Sequence, residues 1–144
     1  MANTIYPSFL NGILGSHATR VDLDADNICL ALVDNAGADG APATTDDFWD
    51  DQDGSMIGAL SSNLGTKTIG VNGSVPGVFD AADMAPAFTG VSGATVESLV
   101  MLKTTGTPGT SDLICWWDTA TGLPLTPNGG DVNVTFNGSG IIKV

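Results

Sequence analysis

Short apolar runs separated by turn-forming residues dominate the chain from residue 67 to residue 144. The runs are KTIGV, GVFDAADMAPAFTGV, TVESLVMLKTT, SDLICWWDT, DVNVTF and GIIKV, with Gly, Pro and Asn between them. An earlier run at residues 27 to 34 is also short, apolar and of strand length. Such spacing with turn signals is typical of β-sandwiches and jelly rolls. The sequence therefore predicts an all-β, single-domain antiparallel β-sandwich or jelly roll.

The clearest hairpin lies in the segment ESLVMLKTTGTPGTSDLICWWD. Two apolar runs flank TTGTPGT, whose glycines and proline specify a chain reversal, so residues 97 to 103 and 112 to 118 are expected to pair antiparallel. Because side chains alternate along a strand, Trp116 and Trp117 must face opposite sides. Both faces of this ribbon are apolar. We expect one to fill the core and the other to be covered by a loop, the amino-terminal segment or another subunit.

The charge balance excludes two classes of partner. The 144 residues include sixteen acidic and four basic side chains, which give a net charge of -12. A chain with this charge repels the phosphate backbone of nucleic acid and the surface of anionic lipid. The start, MANTIYPSFLNGILGS, has neither a basic leader nor a long apolar run. We therefore predict no nucleic-acid partner, no membrane partner and synthesis in a cytoplasm.

The acidic residues are unevenly distributed. Residues 1 to 20 contain no carboxylate, whereas twelve of the sixteen acidic residues lie between Asp22 and Asp83. This asymmetry predicts an amino-terminal arm at residues 1 to 20, followed by a β-sandwich domain at residues 21 to 144. The arm carries an apolar stripe with helical spacing, formed by Tyr6, Phe9, Leu10, Ile13 and Leu14. The stripe packs either on its own domain or on a neighbour, and these five side chains are the candidate partner-binding residues.

Alternating aspartates precede the first long apolar run, in VDLDADNICLALVD. Asp22, Asp24 and Asp26 have the spacing with which a helix-loop-helix calcium loop begins. Such a loop also needs glycine at its sixth place and a bidentate glutamate at its twelfth. This chain has Asn27 and Val33 at those places. The segment is therefore interpreted as the polar lead-in to a strand.

A second acidic cluster, DDFWDDQDG, belongs to a predicted acidic loop at about residues 37 to 54. Closely spaced aspartates are usually solvated, so a catalytic carboxylate pair is a weak hypothesis here. Hard cations favour clustered oxygen ligands, which makes Asp50, Asp51 and Asp53 weak metal candidates. The prediction is that the protein uses no metal and no cofactor.

Residue types that carry catalysis are scarce. The single histidine, His17, stands in a polar part of the arm, and no dinucleotide-binding, Walker, CxxC or HExxH motif occurs. Cys29 and Cys115 each lie in an apolar run, where a thiol usually behaves as a small buried hydrophobe. A disulfide between them stays geometrically possible. The sequence predicts that the protein is not an enzyme.

The carboxy-terminal part resembles a known family. The order LGTKTIG, GVFDAADMAPAFTGVSG, then ESLVMLKTTGTPGTSDLICWWDTATGLPLTPNGGDVNVTF and a closing GIIKV is similar to small virion structural proteins of tailed bacteriophages. The resemblance covers about residues 63 to 144 and rests on strand and turn signals. It brings no catalytic residues, and the arm and the acidic loop have no counterpart in it.

This resemblance implies a non-enzymatic structural protein of the virion. Its leading form is a capsid decoration or cement protein, which stabilises the shell through contacts with the major capsid protein, commonly as a homo-oligomer such as a trimer. A tail, neck or fibre component of the same particle is the first alternative. A glycan-binding module is the second, with Trp49, Trp116 and Trp117 as stacking candidates, although tryptophans in strands more often fill a core.

Overall fold

The computed structural model describes residues 3 to 15, 21 to 70 and 76 to 144. Its strands are β1 (Thr4–Ile5), β2 (Ile28–Val33), β3 (Met56–Ile57), β4 (Thr68–Ile69), β5 (Val78–Asp80), β6 (Met84–Phe88), β7 (Ser98–Lys103), β8 (Leu113–Trp117), β9 (Val132–Val134) and β10 (Ile142–Lys143). Helix α1 spans Pro7–Ile13, and short 3-10 helices span Trp49–Asp51, Asp53–Ser55 and Pro108–Thr110. All strand pairs are antiparallel, which confirms the predicted all-β single-domain class. No helix in these ranges is long and apolar enough to cross a membrane.

The largest sheet has five strands in the order β1-β8-β7-β2-β3. β2 pairs with β7 along its whole length, from Ile28 opposite Lys103 to Val33 opposite Ser98. β7 continues through the turn at TTGTPGT into β8, and the two strands pair antiparallel. The predicted hairpin is therefore confirmed. It supplies β7, the central strand of the sheet, and β8, which pairs with β1, while β3 pairs with β2.

β2 is apolar without alternation because both of its faces are covered. All six of its residues are buried. Along its first half, a loop completes the hydrogen bonds that a neighbouring strand would otherwise make. Ser61 N donates to Leu30 O and Leu30 N donates to Ser61 Oγ, while Leu64 N donates to Ile28 O and Ile28 N donates to Asn63 Oδ1. The loop thus leaves no buried backbone group of Ile28 or Leu30 without a partner on this edge.

Two smaller sheets complete a sandwich-like core. One contains β10, β5 and β4, in that order, and the other pairs β6 with β9. Buried side chains from both smaller sheets join those of the large sheet in one cluster. The contributing residues outside the large sheet include Phe79, Met84, Phe88 and Ile142. The core is therefore continuous across the three sheets, as expected of one domain.

The hairpin places its two tryptophans in different surroundings. Trp116 lies opposite Val100 and is buried, whereas Trp117 lies opposite Leu99 and is half-buried. Alternation along β8 sends their side chains to opposite faces of the sheet. The Trp116 ring packs against Tyr6, with 4.6 Å between ring centroids and 54° between ring planes. Trp116 is thus a core residue, and only Trp117 keeps part of its ring at the surface.

The two cysteines are free and buried. Cys29 lies opposite Leu102 and Cys115 lies opposite Met101. Because Leu102 and Met101 are consecutive residues of β7, the two thiols project from opposite faces of the sheet. Burial raises the pKa of both thiols above its ordinary value. The disulfide that the sequence left open is therefore absent, and both residues act as small apolar side chains.

The different burial of the tryptophans makes a stability prediction. We expect Trp116→Ala to lower the free energy of unfolding by about 3 to 5 kcal/mol, because removal of a buried aromatic leaves a cavity. Trp117→Ala should cost less, because part of that ring already contacts solvent. Equilibrium unfolding in urea measures both values. Equal losses for the two variants would contradict the burial described for them.

Candidate functional site

The described part of the predicted arm, residues 3 to 15, is joined to the large sheet. β1 pairs with the outer edge of β8, where Thr4 lies opposite Trp116 and Ile5 lies opposite Cys115. Tyr6 N then donates to Ile114 O over 3.0 Å. Pro7 follows at the first position of α1, where its missing N–H is not needed and its ring favours the helical φ. The segment is therefore an edge strand and a short helix, rather than a separate tether.

The apolar stripe of this segment divides into a buried and an exposed part. Tyr6 is 0% exposed and Phe9 is 5% exposed, and both belong to the core. By contrast, Leu10 is 37% exposed, Ile13 is 45% exposed and Leu14 is 82% exposed. Tyr6 and Phe9, predicted as partner-binding candidates, are instead packed on their own domain. The exposed end of α1, defined as Leu10, Ile13 and Leu14, is the part of the stripe that another molecule can contact.

The acidic loop lies beside the same edge of β8. Phe48 and Asp112 form an isolated antiparallel β-bridge. On either side of it, Trp49 N donates to Ser111 O over 2.8 Å and Leu113 N donates to Asp47 O over 3.2 Å. Residues 47 to 49 therefore extend along the start of β8, and β1 extends along its end. The arm and the acidic loop both lie far from β8 in the sequence. The fold places them next to each other on one strand.

The carboxylates of the loop act as acceptors for the chain itself. Asp46 Oδ2 accepts from Ala43 N over 2.8 Å and from Gln52 Nε2 over 3.0 Å. Burial raises the pKa of Asp46 above its ordinary value, and the bond from Ala43 N lowers it only in part. Burial also raises the pKa of Tyr6, and the charges of Asp46 and Asp51 raise it further. The loop thus places negative charge close to a core tyrosine of the arm.

The weak metal candidates do not form a coordination site. Asp51 Oδ2 accepts from Asp47 N over 2.9 Å and from Phe48 N over 3.3 Å, so this carboxylate closes a turn. Asp50 and Asp53 are exposed. Within residues 3 to 15, 21 to 70 and 76 to 144, no group of three or more His, Cys, Asp or Glu side chains is arranged to hold a metal ion. The geometry of Asp51 is that of a turn cap.

The alternating aspartates before β2 also form a turn. Asp22 Oδ1 accepts from Asp24 N over 3.2 Å and from Ala25 N over 3.1 Å. Asp26 Oδ2 accepts from Asp22 N over 2.8 Å and forms an ion pair with Lys103 Nζ at 3.1 Å. The carboxylates of Asp22 and Asp26 therefore cap the entry to the strand, as a polar lead-in does. His17 lies outside the described residues.

Of the three tryptophans, Trp117 alone has a ring that is partly exposed. Trp49 and Trp116 are buried, so their rings have no free face on which a sugar could stack. Trp117 lines a cleft of about 450 Å³. Apolar side chains form most of its lining, and among them are Leu32, Leu99, Leu123, Leu125 and Ile141. Apolar and polar residues alternate in DVNVTF, which indicates one apolar face of β9. No local sequence signal identifies residues 120 to 123 and Leu125, which also line the cleft.

Comparison of the chain with models of protein families and with curated proteins finds no match. Its function is therefore inferred from its own residues.

The division of the stripe in α1 makes a second prediction. Phe9→Ala should lower the free energy of unfolding by about 3 to 5 kcal/mol, because Phe9 belongs to the core. Leu14→Ala should change it by no more than about 0.5 kcal/mol, because that side chain is exposed. Thermal and chemical unfolding of the isolated protein measure both. A stable Phe9→Ala variant would mean that the arm does not belong to the core.

The acidic loop makes a third prediction, which concerns metal removal. We expect EDTA to leave the melting temperature unchanged, because carboxylates such as those of Asp46 and Asp51 already accept hydrogen bonds from the chain. A tightly bound ion would stabilise the folded protein by mass action. A drop of more than about ten degrees, reversed by added calcium, would therefore identify a metal site.

Proposed function

We propose that the protein is a non-enzymatic structural component of a tailed-bacteriophage virion, and that it is a capsid decoration or cement protein. The resemblance of residues 63 to 144 to small virion structural proteins supports the class. The observation that carries the docking role is the exposed end of α1, formed by Leu10, Ile13 and Leu14. These side chains are apolar on a protein whose net charge is -12.

The exposed end of α1 is suited to a contact that forms on assembly. Burial of apolar surface contributes about 25 cal/mol for each Å² removed from water. Such a contact holds shell subunits together because its free energy is lost when they separate. Tyr6 and Phe9 anchor the helix in the core, so Leu10, Ile13 and Leu14 are presented from a fixed position. A fixed apolar surface loses less conformational entropy on binding than a flexible arm does.

The proposed partner is the major capsid protein, and the proposed location is the virion. Repeated copies on a symmetric shell favour a homo-oligomer such as a trimer, in which several helices contact the shell at once. A station on the tail, neck or fibre is the alternative, since the same surface could serve there. Cryo-electron microscopy of the intact particle distinguishes these stations by the position of the density.

The test combines three substitutions in α1. The triple variant Leu10→Ser, Ile13→Ser, Leu14→Ser should weaken binding to shells that lack the protein by at least about tenfold, because three apolar side chains lose their contact. Its melting temperature should stay close to that of the wild type. Co-sedimentation with the shells measures binding, and circular dichroism measures folding.

A matched control is available on β4. Ile69 is 51% exposed and does not belong to α1. Ile69→Ser removes a comparable apolar side chain and should bind shells as the wild type does. A triple variant that is folded and binds as tightly as Ile69→Ser would refute docking through α1.

A glycan-binding module is the second candidate, and one observation favours it. Trp117 has a partly exposed ring in a cleft that also contains Asn133 and Asn137. An aromatic ring beside amide side chains can stack on and hydrogen-bond a sugar. A glycan array tests this function directly, and Trp117→Ala should abolish any binding that the array detects.

A further inference from the structure

β9 has an unpaired edge. It belongs to a two-stranded sheet, and its hydrogen-bonded neighbour among the described residues is β6. An unpaired edge presents a row of backbone N–H and C=O groups, and proteins usually protect such edges with lysine, proline or a covering loop. The sequence DVNVTF contains neither lysine nor proline. β9 therefore retains the capacity to pair with a further strand.

Hydrogen bonds on either side of β9 establish which of its groups face this edge. Val91 N donates to Gly130 O over 2.9 Å, and Phe136 N donates to Asp83 Oδ1 over 2.8 Å. Both bonds lie on the side of β6. Backbone groups of successive residues alternate between the two edges of an extended strand, so even-numbered residues here face β6. The N–H and C=O groups of Asn133 face the other way.

The unpaired edge lines the cleft that contains Trp117. Residues 131 to 137 line it without a gap. Successive side chains of a strand point to opposite faces, so an uninterrupted lining run indicates that the strand presents its edge to the cleft. Residues 120 to 123 and Leu125 also line the cleft, together with Leu32, Leu99 and Trp117 of the large sheet. Backbone donors and acceptors of β9 therefore share the cleft with apolar side chains.

We propose that this cleft binds an extended peptide segment of a partner protein, which adds to β9 as a strand. A polypeptide backbone is the ligand that matches an alternating row of N–H and C=O groups. Every second side chain of the segment would point towards Leu99, Trp117 and Leu123. Those positions of the peptide should therefore be apolar. The predominance of apolar side chains in the lining favours a peptide over a sugar, which needs more polar partners.

Charge defines the partner segment further. Among the described residues that line the cleft, Asp131 is the one charged side chain, and it is acidic. The whole chain carries a net charge of -12. An acidic segment would be repelled, so the bound segment is neutral or basic. That the partner is another protein of the same particle rests on the proposed function. Strand addition to β9 does not depend on it.

The experiment uses a random dodecapeptide library and substitutions at Asn133. Asn133 is exposed, so Asn133→Ala keeps the backbone N–H, whereas Asn133→Pro removes it at the unpaired edge. Peptides selected on the wild-type protein should alternate apolar and polar residues and contain few Asp or Glu. They should bind Asn133→Ala as they bind the wild type, and bind Asn133→Pro at least about tenfold more weakly.

A second measurement leaves the protein unchanged. Two versions of a selected peptide are prepared, one N-methylated at its odd-numbered residues and the other at its even-numbered residues. Each version lacks the backbone N–H donors on one edge of the peptide. Binding should be abolished for one version and retained for the other. Thr135→Pro provides a further variant on the same edge if Asn133→Pro melts early. In NMR spectra of the wild-type protein, the chemical-shift changes on peptide binding should be largest at Asn133 and its neighbours.

Several results would overturn the proposal. The first is a selection on the wild-type protein that yields no peptide with more binding than the background measured on Asn133→Pro. The second is equal binding of the selected peptides to Asn133→Ala and Asn133→Pro. The third is binding of both N-methylated sets of peptides. A dimer of the free protein that Asn133→Pro dissociates would make a second copy the occupant. Glycan binding that depends on Trp117 would make the cleft a sugar site.

The outcomes separate this inference from the proposed function. If shells bind Asn133→Pro as tightly as the wild type, and no peptide is selected, strand addition fails while docking through α1 stands. If the protein does not bind shells but selected peptides distinguish Asn133→Pro from Asn133→Ala, the virion role fails and strand addition stands.

Discussion

Pairing along both edges of β8 is the interaction on which the rest of the structure depends. One edge is occupied by β7, and the other is shared by β1 and by residues 47 to 49 of the acidic loop. The strand supplies Leu113, Ile114, Cys115 and Trp116 to the core. Because both its edges are paired, loss of the arm or the loop would leave backbone groups of β8 without their hydrogen-bond partners. The two segments that appear most dispensable in the sequence are thereby part of the domain.

The position of the arm explains how one short helix can be both a core element and the proposed docking surface. β1 ties the arm to Trp116 and Cys115, and Tyr6 and Phe9 continue into the core. A helix of seven residues is too short to be stable alone, so its order comes from these contacts. The end that remains outside the core is then held rigidly. The acidic loop adds the negative charges of Asp46 and Asp51 near Tyr6, at the start of the helix.

Local signals in the sequence predicted what is local in the fold. The turn TTGTPGT lies between its two strands, so the antiparallel pairing of β7 and β8 could be read directly, and the fold class followed from the run of strands and turns. The pairing of Thr4 with Trp116 could not be predicted from the sequence, because the two residues lie far apart in the chain and nothing in either segment specifies the other. For the same reason, the helical spacing of the stripe identified α1 but not which side chains would enter the core. The proposed peptide site in the cleft depends on an edge of β9 that has no strand partner among the described residues, and such an edge has no sequence pattern of its own.

Net charge and apolar contact affect the proposed binding in different ways. A net charge of -12 makes copies of the chain repel each other, and the repulsion is screened within about 10 Å at moderate salt. Apolar burial is not screened in this way, so the proposed contacts through Leu10, Ile13 and Leu14 would keep their free energy as salt rises. The backbone hydrogen bonds proposed at β9 would also be independent of net charge. A protein that binds in this manner associates through short-range contacts once a partner is close, while its long-range field discourages association with acidic molecules. In this proposal, the net charge provides selectivity and the apolar contacts provide affinity.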